Sequence, residues 1–188
     1  MVKLNKIYTR TGDGGETGLA DGSRIAKSHP RAAAIGDVDE ANSAIGIALL
    51  HVEDERLRAM LARIQNELFD LGADLATPGE DFAPTDMTLR IVQGQIDRLE
   101  SEIDAMNEAL SPLSSFILPG GGAGSAYLHL ARTIVRRAER MAVAAGASVA
   151  LNPLALTYLN RLSDHLFVAA RFAAKAGGDI LWKPGATR

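Results

Sequence analysis

The stretch Asp54-Glu55-Arg56-Leu57-Arg58-Ala59-Met60-Leu61-Ala62-Arg63-Ile64-Gln65-Asn66-Glu67-Leu68-Phe69-Asp70-Leu71-Gly72-Ala73-Asp74-Leu75 carries leucine or isoleucine at 57, 61, 64, 68, 71 and 75. Spacings of three and four put those side chains on one face of an α-helix. The same period recurs on both sides of it. An earlier helix is expected to open at Asp37, with Asp37 as N-cap and Glu40 at N3, and to run through Val38, Ile45 and Leu49 toward His51. After a loop from Thr77-Pro78-Gly79 to Pro84, a third helix is expected from near Asp86. It carries Leu89, Val92, Ile96, Leu99, Ile103 and Met106 on one face and Arg90, Asp97, Arg98, Glu100 and Glu102 on the other. A fourth spans roughly Ser125 to Ala145. Asn152 as N-cap and Pro153 at N1 announce a fifth, which ends near Lys175 with Gly177 and Gly178 as stop signals. Runs of β-branched residues are scarce, so no strand is expected. The fold class predicted is all-α, a five-helix up-and-down bundle behind an irregular N-terminal loop. With no repeat and no internal boundary, residues 1–188 read as a single domain whose bundle occupies 37–176.

Composition narrows the chemistry. The chain has 188 residues, 47% of them apolar, and a net charge of −3. That balance gives no broad basic surface for nucleic acid. With no cysteine, disulfides, thiolate catalysis, zinc–cysteine sites and iron–sulfur clusters are ruled out. Apolar runs are short and broken by charge, so no membrane span is expected. The first ten residues have no apolar core of a signal peptide. A cytoplasmic location is the default expectation. His29, His51, His129 and His165 show no metal-ligand spacing and read as structural or surface residues.

The fourth helix departs from the overall charge. Arg132, Arg136, Arg137 and Arg140 stand against Glu139 alone. Like charges at i, i+4 cost an isolated helix roughly 0.2–0.5 kcal/mol per pair, a cost that an anion would reverse. Arginine suits phosphate because its planar fork donates two parallel hydrogen bonds. From the residues alone, this helix is either a solvated basic face or an anion site.

Two other segments leave the same choice open. Tyr8-Thr9-Arg10-Thr11-Gly12-Asp13-Gly14-Gly15-Glu16-Thr17-Gly18, with Lys27 just beyond, is either a phosphate cradle or a flexible arm. It is neither a Walker A loop nor a Rossmann fingerprint. On the fifth helix, Thr157, Asn160, Asp164, Val168 and Arg171 form a stripe opposite Leu159, Leu162 and Leu166. That stripe faces water, or Asn160 and Asp164 hydrogen-bond a ribose or base. Gly120-Gly121-Gly122-Ala123-Gly124 reads as a tight connection that lets helices approach.

Together these segments resemble the PduO-type ATP:cob(I)alamin adenosyltransferases. Four blocks carry the resemblance: Tyr8 to Asp13; Gly36-Asp37-Val38-Asp39-Glu40-Ala41-Asn42-Ser43; Phe116-Ile117-Leu118-Pro119-Gly120-Gly121 with Ala131-Arg132-Thr133 and Arg136-Arg137-Ala138-Glu139-Arg140; and Leu159-Asn160-Arg161-Leu162-Ser163-Asp164. They occur in the family's order over nearly the whole chain. Gly14, Asp37 and Ala41 depart from the lysine, threonine and leucine common there. The resemblance implies a ferritin-like bundle assembled as a homotrimer with active sites at subunit interfaces. ATP would contact Thr9, Arg10, Thr11, Gly12, Thr17, Gly18 and Lys27 of the 1–30 loop, and Arg136, Arg137, Ala138, Glu139, Arg140 and Asn160 on the helices. Asp39 and Arg132 would pair across the interface, and Phe116 would displace the lower ligand of cobalamin.

The activity implied is transfer of the 5′-deoxyadenosyl group of ATP to cob(I)alamin, giving adenosylcobalamin and triphosphate. Arg136, Arg140 and Mg²⁺ would neutralise the leaving group. A cobalamin reductase and an adenosylcobalamin-dependent enzyme would be its protein partners. The alternative is a helical module that binds ATP or adenosylcobalamin, sensing or delivering it without turnover.

Overall fold

The computed structural model describes residues 7–174 and 178–188. Its helices are α1 (Pro30–Leu49), α2 (Glu55–Leu75), α3 (Gln93–Asn107), α4 (Ala123–Gly146) and α5 (Pro153–Ala173). The expected all-α bundle is present. Successive helices run in opposite directions, as side-chain bridges show. Asn42 of α1 bonds the Gln65 carbonyl of α2, and Arg58 early in α2 reaches the Leu49 carbonyl at the end of α1. Glu139 and Arg136 of α4 meet Asn160 and Ser163 of α5 in opposite order.

Every apolar residue of the α2 stripe (Leu57, Leu61, Ile64, Leu68, Leu71 and Leu75) is buried. On α1 and α4 the core is made largely of alanine: Ala34, Ala41, Ala44 and Ala48 against Ala131, Ala138, Ala142 and Ala145. Small side chains let these two helices approach closely. The Gly120–Gly124 connection does what close approach needs. A Cβ on Gly124 would lie 2.6 Å from the His51 carbonyl oxygen.

Two helix boundaries and one pair of strands differ from expectation. Helix α1 starts at Pro30, not Asp37, because His29 caps it through Nδ1 and Pro30 sits in its first turn. Asp37 is therefore mid-helix and free to pair sideways. Helix α3 starts at Gln93, not near Asp86. Arg90 and Ile91 precede it because buried Asp74 takes both the Arg90 guanidinium (2.8 Å) and the Ile91 N–H (2.8 Å). Asn152, the α5 cap, also donates to Asp74 (2.7 Å). One carboxylate thus ties three chain segments together. The N-terminal loop, expected to be irregular, contains a short hairpin of β1 (Glu16–Gly18) and β2 (Arg24–Ala26), paired antiparallel with Thr17 opposite Ile25. Ala20 N–H bonds the Ala76 carbonyl (2.9 Å), docking the hairpin on the end of α2. The expected end of the fifth helix at Lys175 and Gly177 lies outside the described residues.

Parts of two expected polar faces also turn inward, while Asp97, Arg98 and Glu100 on α3 and Thr157, Asn160 and Asp164 on α5 stay exposed. Glu102 is not solvated: it accepts from Arg63 and lies 2.9 Å from His165 Nε2. Burial would raise its pKa, but hydrogen bonds from His165 and Arg63, with their charge, outweigh it and hold the carboxyl at about 2. Next to it, buried Tyr158 donates to Glu67 (2.7 Å). On α5, Val168 and Arg171 are buried rather than part of a water-facing stripe. Among the described residues no helix is long and apolar enough to cross a membrane.

Candidate active site

The arginines of α4 divide by the direction each faces. Arg137 faces α1, where Asp37 Oδ1 lies 3.4 Å from its Nε and Glu40 accepts from its Nη2. The hydrogen bond to Glu40 is the main reason its pKa is raised. Arg132, Arg136 and Arg140 follow at i, i+4 and i+8 on another face, and among the described residues none has a carboxylate partner. Arg136 Nη1 donates to Ser163 Oγ (3.4 Å), and Arg140 Nη1 to the Arg136 carbonyl (2.9 Å). Both side chains are exposed. Arg132 is half-buried, its guanidinium 6.0 Å from the Phe167 ring centroid. Its Nε is buried without a hydrogen-bond partner among the described residues. Burial, then the like charge of Arg136, lowers its pKa. Three cations in a row, one with an unanswered donor, suit a polyanion. Alongside them, Asn160 Nδ2 donates to Glu139 Oε1 (3.0 Å), which fixes the amide at the edge of the row.

The N-terminal loop gathers a second cationic set. Arg10 has a left-handed backbone (φ 61) and lies over the Tyr8 ring at 5.7 Å. Thr9 and Thr11 hydroxyls are 2.9 Å apart. Arg24, which the sequence reading passed over, donates to the Thr11 carbonyl (2.8 Å). Lys27 Nζ sits 3.3 Å from where a Gly12 Cβ would be, so the absence of that side chain admits the ammonium. Thr17 and Gly18 line a cleft of about 530 Å³ with Asp39, Asn42 and Phe69.

A further cleft of about 530 Å³ holds Phe116, Arg132 and Phe167. Phe116 is 77% exposed, a large apolar side chain with little of its surface covered. Within one chain, Asp39 and Arg132 thus line different clefts, and among the described residues no hydrogen bond or ion pair joins Thr9, Arg10, Thr11, Gly12 or Lys27 to Arg132, Arg136 or Arg140. The pairing of Arg137 with Asp37 and Glu40 has no local sequence signal, since Asp37 and Glu40 have the spacing of a helix cap. The histidines are structural: His29 caps α1, His51 stacks on Tyr127 (4.8 Å), His129 packs edge-on to Phe167, and His165 meets Glu102.

Fold and site define a five-helix bundle that lines up unpaired arginines along one helix beside an exposed aromatic. The sequence model of the cobalamin adenosyltransferase family matches residues 7–173, and the chain belongs to that family. It is 54% identical over 194 residues to the corrinoid adenosyltransferase of Mycobacterium tuberculosis H37Rv, covering 100% of this chain and 97% of the relative. It is 43% identical over 189 residues to the corrinoid adenosyltransferase of Bacillus subtilis, covering 96% and 94%. Among solved structures it is similar to a phenylalanine-to-histidine variant of the PduO-type ATP:corrinoid adenosyltransferase from Lactobacillus reuteri, complexed with cobalamin and ATP. The TM-score is 0.87 and the identity 38%, over 95% of this chain and 97% of that one.

Proposed function

We propose that this protein transfers the 5′-deoxyadenosyl group of ATP to cob(I)alamin. The observation that carries the reading is the row of Arg132, Arg136 and Arg140, without carboxylate partners among the described residues, in a family of adenosyltransferases. The Co(I) electron pair attacks C5′; the cobalt–carbon bond forms as the C5′–oxygen bond breaks, and triphosphate leaves with the bonding pair. No proton moves, so no general base is required. The protein positions the two reactants and stabilises charge on the leaving group.

Arg136 and Arg140 are assigned to the triphosphate, with Arg137, Ala138 and Glu139 completing that turn and Asn160 at the nucleoside end. Thr9, Arg10, Thr11, Gly12, Thr17, Gly18 and Lys27 form the other wall of the ATP site. Phe116 is assigned to the lower face of the corrin, where an apolar ring displaces the axial ligand and excludes water. Four-coordinate Co(II) is then easier to reduce. Among the described residues no three His, Asp or Glu side chains gather as a metal cage. Mg²⁺ would enter with the ATP phosphates and neutralise part of their charge.

A homotrimer belongs to this reading, with each site shared between subunits. Asp39 and Arg132 support it: each lacks an ion-pair partner among the described residues, and they line separate clefts of one chain. The exposed apolar side chains of Leu50, Leu130 and Val143 are further candidates for burial between copies. We read the chain as one domain, in the cytoplasm on its cysteine-free composition. A cobalamin reductase would act before it and an adenosylcobalamin-dependent enzyme after it. Identification of the phosphate product tests the reaction. Intact triphosphate, released only when cob(I)alamin is present, is expected; ADP or monophosphate as the primary product would overturn it.

A further inference from the structure

The loop that carries Phe116 is held by the C-terminal segment. Leu118 N–H donates to the Ile180 carbonyl (2.8 Å) and Trp182 N–H to the Phe116 carbonyl (2.7 Å). These bonds form an antiparallel bridge centred on Ile117 and Leu181. Ser115 Oγ adds a third bond, to the Trp182 carbonyl (2.7 Å). Both strands are rooted on one buried side chain of α5. Arg171 donates to the Ser111 carbonyl (2.7 Å) and pairs with Asp179 (3.0 Å). Behind the bridge, a Cβ on Gly120 would come within 2.9 Å of Ile180 Cδ1, so the two segments are in close contact there.

This arrangement fixes the backbone of Phe116 but leaves its ring exposed. The nearest aromatic constraint is Trp182, whose ring centroid is 6.0 Å away at an interplanar angle of 58°. Such a tilted pair is a favourable aromatic geometry. Trp182 is itself 43% exposed, so the pair is not explained by burial in the core. An exposed phenyl with no neighbour samples several rotamers. The indole removes some of them.

We propose that Trp182 is a positioning residue for Phe116, and that segment 178–182 is the strut that presents the phenyl ring to the lower face of the corrin. The proposal rests on the reading of Phe116 given above. A ring displaced by even about 1 Å loses much of the benefit of positioning, and an axial ligand can return to cobalt. Reduction of Co(II) then suffers, whereas attack of preformed Co(I) on C5′ does not need the ring in that place.

The test compares wild type, Trp182→Ala, Trp182→Phe and Phe116→Ala, each with ATP and cob(II)alamin. Electron paramagnetic resonance measures the four-coordinate fraction. In parallel, adenosylation is assayed with chemically prereduced cob(I)alamin. In Trp182→Ala the four-coordinate yield is expected to fall about fivefold or more, with Trp182→Phe recovering most of it. The KM for ATP and the rate with prereduced cobalamin stay within about twofold of wild type. A wild-type yield in Trp182→Ala, while Phe116→Ala loses it, overturns the role of Trp182 alone. A wild-type yield in Phe116→Ala overturns the reading of Phe116, and the proposal with it. An equal loss of both yield and prereduced rate in Trp182→Ala marks a merely structural residue and also overturns the proposal.

Discussion

Arg137 Nε lies 3.4 Å from Asp37 Oδ1, and that contact separates one arginine of α4 from the other three. With Glu40 as a second partner, Arg137 ties α4 to α1, whereas Arg136 beside it remains available to a ligand. Arg137→Ala should therefore lower Tm slightly, by less as salt is added, because the pairs are partly exposed and screened. Its loss of kcat/KM should be smaller than that of Arg136→Ala, because Arg137 belongs to the triphosphate turn but its guanidinium is held by Asp37 and Glu40. Thermal melts at two salt concentrations and a steady-state assay check both parts.

Arg136→Ala should lower kcat/KM about tenfold or more, since a charge-assisted contact to the leaving group is lost. Arg136→Lys should recover only part, because a point charge does not replace a planar fork. Secondary structure should be unchanged, because Arg136 is exposed and, among the described residues, makes only one hydrogen bond outside its own helix, to Ser163. Circular dichroism and kinetics on the same preparations make the comparison. Wild-type kinetics in Arg136→Ala would remove that residue from the triphosphate site.

Phe116→Ala should bind ATP and cobalamin but fail chiefly at cobalt reduction. An exposed ring can be removed at little cost to the fold, and Phe116 is exposed. The rate with prereduced cob(I)alamin should hold up far better than the rate with Co(II) and a reductant. Parallel loss of the two rates would contradict the assignment.

Glu102 gives the fold a pH signature. Its carboxyl titrates at about 2 when folded, against an ordinary 4.5. The depressed pKa means that its stabilisation is fully present above about pH 4.5 and is lost as pH falls toward 2. Glu102→Gln should cost roughly 2 kcal/mol at pH 7, since it strips a partner from half-buried Arg63 and from His165. Urea denaturation of both proteins should show the gap narrowing between pH 5 and pH 2. A gap independent of pH would mean that the Arg63–Glu102–His165 cluster contributes no charge-dependent stability.

How much of this was legible in the sequence depended on the range of the signal. The α2 stripe was plain because each leucine sits three or four places from the next, and all are buried. Asn152 and Pro153 likewise marked the start of α5 from adjacent residues. The start of α1 is not legible locally, because an aspartate followed by a glutamate three places on looks like a cap, while the true cap is a histidine before proline. Arg90 and Leu89 fitted a helical face, but Asp74, sixteen positions away from Arg90, holds that segment out of the helix. The site followed the same rule. The arginine row was visible; which arginine was already neutralised was not, because Arg137 and Glu40 are 97 positions apart. Similarly, nothing in residues 178–182 points to Phe116 in the sequence, because the link is a backbone bond between Trp182 and Phe116, 66 positions apart.

The most direct measurement is the absorption spectrum of cob(I)alamin in the presence of this protein as ATP is added under anaerobic conditions. Transfer of the adenosyl group predicts conversion of the cob(I)alamin spectrum to that of adenosylcobalamin, catalytically and dependent on ATP, with Arg136→Ala impaired. A cob(I)alamin spectrum that persists with ATP bound would contradict the account and leave a binding protein in place of an enzyme.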